Sequence, residues 1–232
     1  MRINNLSFKF DNKQKNTNYF FKGLSVEFKP HTVHFIQGDN GVGKSTLFTL
    51  LQGMNDKNSF LDMSVSLDGV LYTAIHNRLP DTFTQQVHTV QQNYDCMLAN
   101  QFTFMQNLQL ANLPLYPRLR PLPRATLLDI VASLGIDVNK PVALLSGGQR
   151  QFLALLMALQ KPTKLLLLDE PTATLDKKNA QLIMQLLPQL AEKLQVTILI
   201  ICHDKELVDT YAQGNSFFMR ELENGTRIVE VM

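Results

Sequence analysis

The stretch "GDNGVGKST", Gly38 to Thr46, sets three glycines before a lysine and two hydroxyl side chains. Its spacing fits GxxxxGK[ST], a loop whose backbone N–H groups wrap phosphates while the lysine reaches their outer oxygens and the serine hydroxyl holds Mg²⁺. Gly38, Asp39, Asn40, Gly41, Val42, Gly43, Lys44, Ser45 and Thr46 are therefore the expected phosphate cradle. A second stretch with similar chemistry lies about a hundred residues on. "LSGGQRQFLALLMALQ" puts Ser146, Gly147, Gly148 and Gln149 at the mouth of an apolar run that reads as a buried helix. The free N–H groups and positive dipole end there also favour an anion.

Acidic and imidazole groups complete the set. Asp169 ends the apolar run "LLLLD", where a carboxylate would lie beside the phosphate loop if the two strands are neighbours, since ligands of open α/β sheets bind at the carboxyl ends of strands. It is the expected Mg²⁺ ligand, through water. Glu170 follows on the opposite side of the strand and is placed to polarise an attacking water as general base. His203 closes the next apolar run in "IICHD", bringing an imidazole near the outermost phosphate. Gln91 and Gln92 stand where strand signals give way, and a neutral amide there could ligate Mg²⁺ or water.

These residues need a scaffold, and its elements are legible. "INNLSFKF", "GLSVEFK" and "TVHFIQ" read as strands, with the polar "DNKQKNTN" as a hairpin loop between the first two. "KSTLFTLLQ" is a helix closed by Gly53, and "SVSLDGVLYTAI" a hairpin turning at Asp68-Gly69. From about Asn93 to Pro141 strand signals fade, and "RATLLDIVASLG" with its terminal Gly135 indicates a mostly helical insertion. "KLLLLDEP" and "VTILIICHD" are apolar on both faces, as central strands of a parallel sheet must be. The helix "KKNAQLIMQLLPQLAEKL" between them has crossover length, and Pro188 should kink it.

Composition excludes several classes. A chain of 232 residues with 45% apolar content can bury one sizeable core, and it has no internal repeat. The net charge is only +2 and the basic residues are scattered, which does not suit a nucleic-acid partner. Cys96 and Cys202 offer no disulfide framework or metal spacing, so a reducing cytoplasm is expected. The start "MRINNLSFKF" lacks a signal-peptide core, and the longest apolar runs are too short to cross a bilayer.

"GDNGVGKST", "LSGGQRQ", "LLLLDEPTATLD" and "CHD", in this order, resemble the ATP-binding cassette (ABC) ATPases over nearly the whole chain. The resemblance implies an α/β fold: a P-loop NTPase core over residues 1–92 and 150–232 with an N-terminal antiparallel β part, and an inserted helical subdomain over about 93–149 ending in the signature loop. It implies ATP and Mg²⁺ as cofactors and ATP hydrolysis as the activity. Position by position, Leu145 to Gln149 is the family signature, Gln92 the Q-loop glutamine and Asp176 in "ATLD" the D-loop aspartate. Glu170 and His203 become the catalytic base and switch histidine, with Lys44 neutralising charge. Phe10 falls where the family usually stacks a tyrosine on adenine. "KPHTV", Lys29 to Val33, departs from the family's common Gly-Glu pair, in a turn outside the phosphate site.

The resemblance also implies partners. Two cassettes, identical or different, would pair head to tail, with Ser146, Gly147 and Gly148 covering the ATP of the opposite subunit. A single cassette without membrane spans resembles the ATPase subunit of a bacterial transporter on the cytoplasmic face of the membrane, serving a separate permease and an extracytoplasmic solute-binding protein. Its lead-in "NTNYFFKGLSVEF" is most similar to importers, some of them for amino acids. A soluble cassette without a permease, such as an iron-sulfur assembly component, is the alternative. Chromosome-maintenance and translation cassettes need a coiled-coil insertion or a tandem pair, for which the chain is too short. "QFTFMQNLQLANLPLYP" suits either a groove for a permease helix or the core of the helical part.

Overall fold

A computed structural model describes residues 1–10, 19–56, 58–111, 125–133, 135–212, 215–223 and 225–231. The expected loop "DNKQKNTN" and the last six residues of "QFTFMQNLQLANLPLYP" lie outside the described residues.

In chain order the elements are β1 (Arg2–Lys9), β2 (Phe21–Glu27), β3 (Val33–Gln37), α1 (Lys44–Leu51), β4 (Phe60–Leu67), β5 (Val70–Thr73), α2 (Asp81–Thr84) and β6 (Val87–Val90). A 3₁₀ turn (Tyr94–Met97), α3 (Phe104–Ala111), α4 (Ala125–Ser133) and a second 3₁₀ turn (Val142–Leu144) follow. Then come α5 (Gly147–Ala158), β7 (Leu165–Asp169), α6 (Lys177–Leu194), β8 (Thr197–Ile201), α7 (Lys205–Tyr211), β9 (Ser216–Glu221) and β10 (Arg227–Val231). The α/β reading holds, and so does the antiparallel N-terminal part.

All ten strands form one sheet, ordered β5-β4-β1-β2-β10-β9-β3-β8-β7-β6. β6, β7, β8 and β3 are parallel, and β9 continues them. β1, β2, β4 and β5 are antiparallel. Strands β7 and β8 show why continuous apolar runs fit this place. Leu166, Leu168, Ile198 and Ile200 pack on one face with α3, α5 and α6, while Leu165, Leu167, Leu199 and Ile201 pack on the other with α1 and the N-terminal strands. Each of these side chains is at most 1% exposed, and burying one contributes roughly 2 kcal/mol.

The neighbour expectation for Asp169 needs correction. β8 lies between β3 and β7, so the strand ending in Asp169 does not touch the strand that feeds the phosphate loop. Short apolar runs that are buried on both faces carry no local signal of their order in a parallel sheet. Strand β8 does lie beside β7, as expected for His203. Helix α6 runs unbroken from Lys177 to Leu194 with Pro188 inside it.

The turn before β3 lies at the other end of that strand from the phosphate loop. His31 sits there with φ 55°, its Nε2 3.3 Å from Asp68 at the β4–β5 turn, and Lys164 before β7 meets the same carboxylate at 2.8 Å. Asp68 is opposed by burial, but the Lys164 hydrogen bond and the Lys164 and His31 charges outweigh it and hold the carboxyl below its ordinary range. The three elements are thus pinned together outside the site.

Candidate functional site

The loop after β3 closes on itself tightly. Gly38 adopts φ 143°, and a side chain there would overlap the Met219 carbonyl of β9, so no other residue fits. A Cβ at Gly43 would lie 2.7 Å from the Phe20 ring. Helix α1 begins directly after, at Lys44, with no side-chain cap on its first N–H groups. Those unpartnered donors and the dipole make the loop an anion site.

Lys44 is buried, and its ammonium donates to the carbonyls of Gly38 (2.7 Å) and Asp39 (2.9 Å). Burial lowers its pKa, while Glu170, Asp169 and Asp39 act against that shift. Asp169 answers from the end of β7. Burial and the adjacent Glu170 push its carboxyl up, and Ser45, Lys44 and His203 pull it back. A desolvated carboxylate beside a second one is a place that a divalent cation would relieve. Ser45, which lines the same cavity as Asp169 and helps to pull its carboxyl back, is the hydroxyl expected on that cation. Among the described residues no three His, Cys, Asp or Glu side chains converge as a ready-made metal cage.

Glu170 is not on the opposite side of the strand. β7 ends at Asp169, and Glu170 turns into the left-handed region with φ 49°, its N–H bonded to the Ile201 carbonyl at 3.0 Å. Strand alternation stops there, so both carboxylates face one cavity of about 200 Å³ with Asn40, Gly41, Gly43, Lys44, Ser45, Thr46 and His203. A non-glycine residue in that conformation costs about 1 kcal/mol and is held only where surrounding structure demands it. His203 Nε2 stands 3.3 Å from one Glu170 oxygen, and the Gln92 amide donates to the other at 3.5 Å. Gln92 therefore meets Glu170, and Gln91 instead lines a separate groove with Met54, His88 and Met97.

Phe10 is 49% exposed and packs edge-on against Phe8 (4.8 Å between centroids) and Phe20 (5.0 Å). Phe20 touches the loop at Gly43 and carries the Arg227 guanidinium over its ring at 3.9 Å. Phe20 and Arg227 were not foreseen, although the alternation in "TRIVEV" carries the signal of the strand that presents Arg227.

The second glycine stretch lies elsewhere. Ser146 caps α5, its hydroxyl oxygen accepting from Gln149 N (3.3 Å) while the Gln149 side-chain oxygen Oε1 accepts from Ser146 N (3.1 Å). This capping box, S-x-x-Q, is visible in the sequence, and it gives Gln149 a structural task. Asp176 likewise caps α6, accepting from the Asn179 N–H at 2.9 Å. Asn179 lines a cavity of about 240 Å³ beside Ser146, Gly148 and Gln149. That lining shares no residue with the phosphate-loop cavity. The fold thus gathers Lys44, Ser45, Asp169, Glu170, Gln92 and His203, and holds Ser146 to Gln149 and Asp176 apart from them.

The sequence profile of the ABC transporter family matches residues 21–173. The chain is 32% identical over 212 residues to the tyrosine transport ATP-binding protein of Clostridioides difficile strain R20291, covering 88% of this chain and 82% of that one. It is 36% identical over 192 residues to the lipoprotein-releasing system ATP-binding protein LolD 1 of Chlorobium chlorochromatii strain CaD3, covering 78% and 73%. Among solved structures, cbiO1 of Clostridium perfringens, part of the transporter complex cbiONQ, superposes with a TM-score of 0.71 at 26% identity, over 98% of this chain and 87% of that one.

Proposed function

The chain belongs to the ABC transporter family of ATP-hydrolysing nucleotide-binding subunits, and we propose that it powers solute transport through a separate membrane permease by ATP-driven closure of a head-to-tail dimer. The observation that carries the reading is the Glu170 carboxylate, held between the Gln92 amide and the His203 imidazole at the mouth of the phosphate loop. In this reading the loop N–H groups and Lys44 bind the triphosphate, and Phe10 stacks on the base. Glu170 accepts a proton from the attacking water, and His203 and Gln92 fix the carboxylate that does so. Ser45 and Asp169 would hold Mg²⁺, which neutralises charge on the outer phosphates.

Separation of the two glycine sites supports the dimer. A signature turn that shares no lining residue with its own phosphate cavity is free to face another subunit's nucleotide. The groove of about 450 Å³ lined by Met54, Val87, His88, Gln91 and Met97 is the face we assign to the permease, since flexible Met side chains adapt to an inserted helix. No helix among the described residues is long and apolar enough to cross a membrane, so the subunit would sit on the membrane's cytoplasmic face through that partner.

The tyrosine-transport relative supports an amino acid as the solute, and in this reading an extracytoplasmic solute-binding protein delivers it for import. The lipoprotein-releasing relative leaves the permease as the component that decides solute and direction. Affinity capture of the Glu170→Gln protein from detergent-solubilised membranes tests the reading, with a polytopic permease as the expected co-purifying protein. Recovery of soluble partners alone would overturn it in favour of a soluble assembly ATPase.

A further inference from the structure

The Ser146–Gln149 capping box closes the signature turn on itself, but the two glycines between them have no side chains with which to hold the turn against the rest of the subunit. Gly147 and Gly148 open α5 without a Cβ, so the direction in which that turn points must be set by neighbours. One neighbour is the 3₁₀ turn Tyr94–Met97, which begins two residues after Gln92. Tyr94 is 6% exposed, and its hydroxyl donates to the Gly147 carbonyl at 3.3 Å. Asp95 Oδ1 lies 3.3 Å from Arg150 Nε, one residue beyond the capping box. Two polar contacts from adjacent residues thus grip both ends of the first turn of α5. The same short segment reaches the other site, where the Gln92 amide meets Glu170 at 3.5 Å.

We propose that Tyr94 and Asp95 are positioning residues for the signature turn, which through the Tyr94–Gly147 and Asp95–Arg150 contacts hold Ser146 to Gly148 at the angle needed to meet a partner's nucleotide. The inference rests on the dimer reading above and adds to it a named clamp.

The test uses the full chain in the Glu170→Gln background. Asp95→Arg and Arg150→Asp are made singly and together, alongside Tyr94→Phe and Lys44→Ala. Monomer affinity is read with a fluorescent ATP analogue, and ATP-driven dimerisation by analytical ultracentrifugation. Each single charge reversal should leave nucleotide affinity unchanged and raise the ATP concentration for half dimerisation about fivefold. The pair occurs twice in a symmetric dimer, and each half-exposed copy contributes modestly. The double reversal should restore dimerisation, which a general loss of stability would not, and Tyr94→Phe should shift it in the same direction with an unchanged unfolding midpoint. Single reversals that dimerise like the parent, or a double reversal without rescue, would overturn the clamp. A parent that never dimerises with ATP, or Lys44→Ala that still binds the analogue, would instead overturn the reading beneath it.

Discussion

Gly148 rests directly against Asn179. A Cβ built on Gly148 would lie 2.6 Å from the Asn179 amide carbon and oxygen, and Asn179 cannot yield freely, because Asp176 accepts its side-chain amide at 2.7 Å and its N–H at 2.9 Å. Gly147 differs: a Cβ there meets only the Tyr94 hydroxyl at 3.7 Å and Leu175 at 3.8 Å, both ordinary contacts. A carboxylate at position 148 would therefore disturb the α5–α6 junction before it met any nucleotide. Gly147→Asp is the cleaner probe of the signature, since an acid in the first turn of a helix is compatible with its dipole. We expect Gly147→Asp to keep monomer stability within about 1 kcal/mol and to retain ATP binding while losing ATP-driven dimerisation. Gly148→Ala should cost about 1–3 kcal/mol by overpacking alone. Urea unfolding beside sedimentation compares the two, and equal stability losses would contradict the assigned contact.

Glu170 combines a reactive carboxylate with a left-handed backbone, φ 49°. The two properties separate by substitution. Glu170→Gln keeps the shape and should bind ATP with hydrolysis slowed about 100-fold or more, the scale of a lost general base. Glu170→Gly relieves the backbone and should raise stability by up to about 1 kcal/mol while abolishing turnover. Thermal unfolding checks the second half, and a marked loss of stability in Glu170→Gly would mean that the turn is not strained.

Gly38 and Gly41 both have positive φ, 143° and 77°, but only Gly38 faces backbone. A Cβ at Gly41 meets nothing within 4 Å, whereas at Gly38 it overlaps the Met219 carbonyl. Gly41→Ala should cost about 1 kcal/mol, from φ alone, and still fold. Gly38→Ala must separate β9 from the loop and should lower stability by more than about 3 kcal/mol or prevent soluble expression. Equal unfolding midpoints would show that the loop and β9 are not in register as described.

Much of this was legible because local chemistry repeats itself. "TVHFIQ" into "GDNGVGKST" into "KSTLFTLLQ" announces β3, its loop and α1, since each needs its own residue types. Gly135 and the cap Asp176 mark helix ends in the same local way. What local chemistry cannot encode is order across the sheet, and hence β8 came between β3 and β7. The conformation of Glu170 was hidden too, because strand alternation was extended one residue past the point where the strand stops. The C-terminal hairpin β9–β10 was overlooked rather than hidden. The alternation in "TRIVEV" was present, and with it the hairpin that sets Met219 against Gly38 and Arg227 over Phe20. Gln149 showed how a family motif can mask a simpler reading, since S-x-x-Q is first of all a helix cap.

His34 makes stability depend on pH at a point remote from the nucleotide cavity. It is 1% exposed, between the Phe28 and Phe217 rings at 5.3 and 5.7 Å, with Nε2 bound to the Lys29 carbonyl at 2.8 Å and Nδ1 without a partner. Burial pushes its pKa below the ordinary 6.5, the Lys29 carbonyl resists, and the N-terminal ammonium and Lys29 charges add to the fall. The unfolded chain therefore binds a proton near pH 6.5 that the folded chain refuses. Stability is complete above that pH and declines as pH falls through it, by up to about 1.4 kcal/mol per pH unit until the folded imidazole titrates. His88 shifts in the same direction through burial, so part of the decline belongs to it. Asp68, held low by Lys164 and His31 against burial, contributes only at more acid pH, below the ordinary carboxylate value of about 4. Between pH 7 and 5 the urea midpoint of the parent should thus fall more steeply than that of His34→Phe, which keeps an aromatic ring in the cluster and removes the proton. Parallel slopes for the two proteins would exclude His34 as the source.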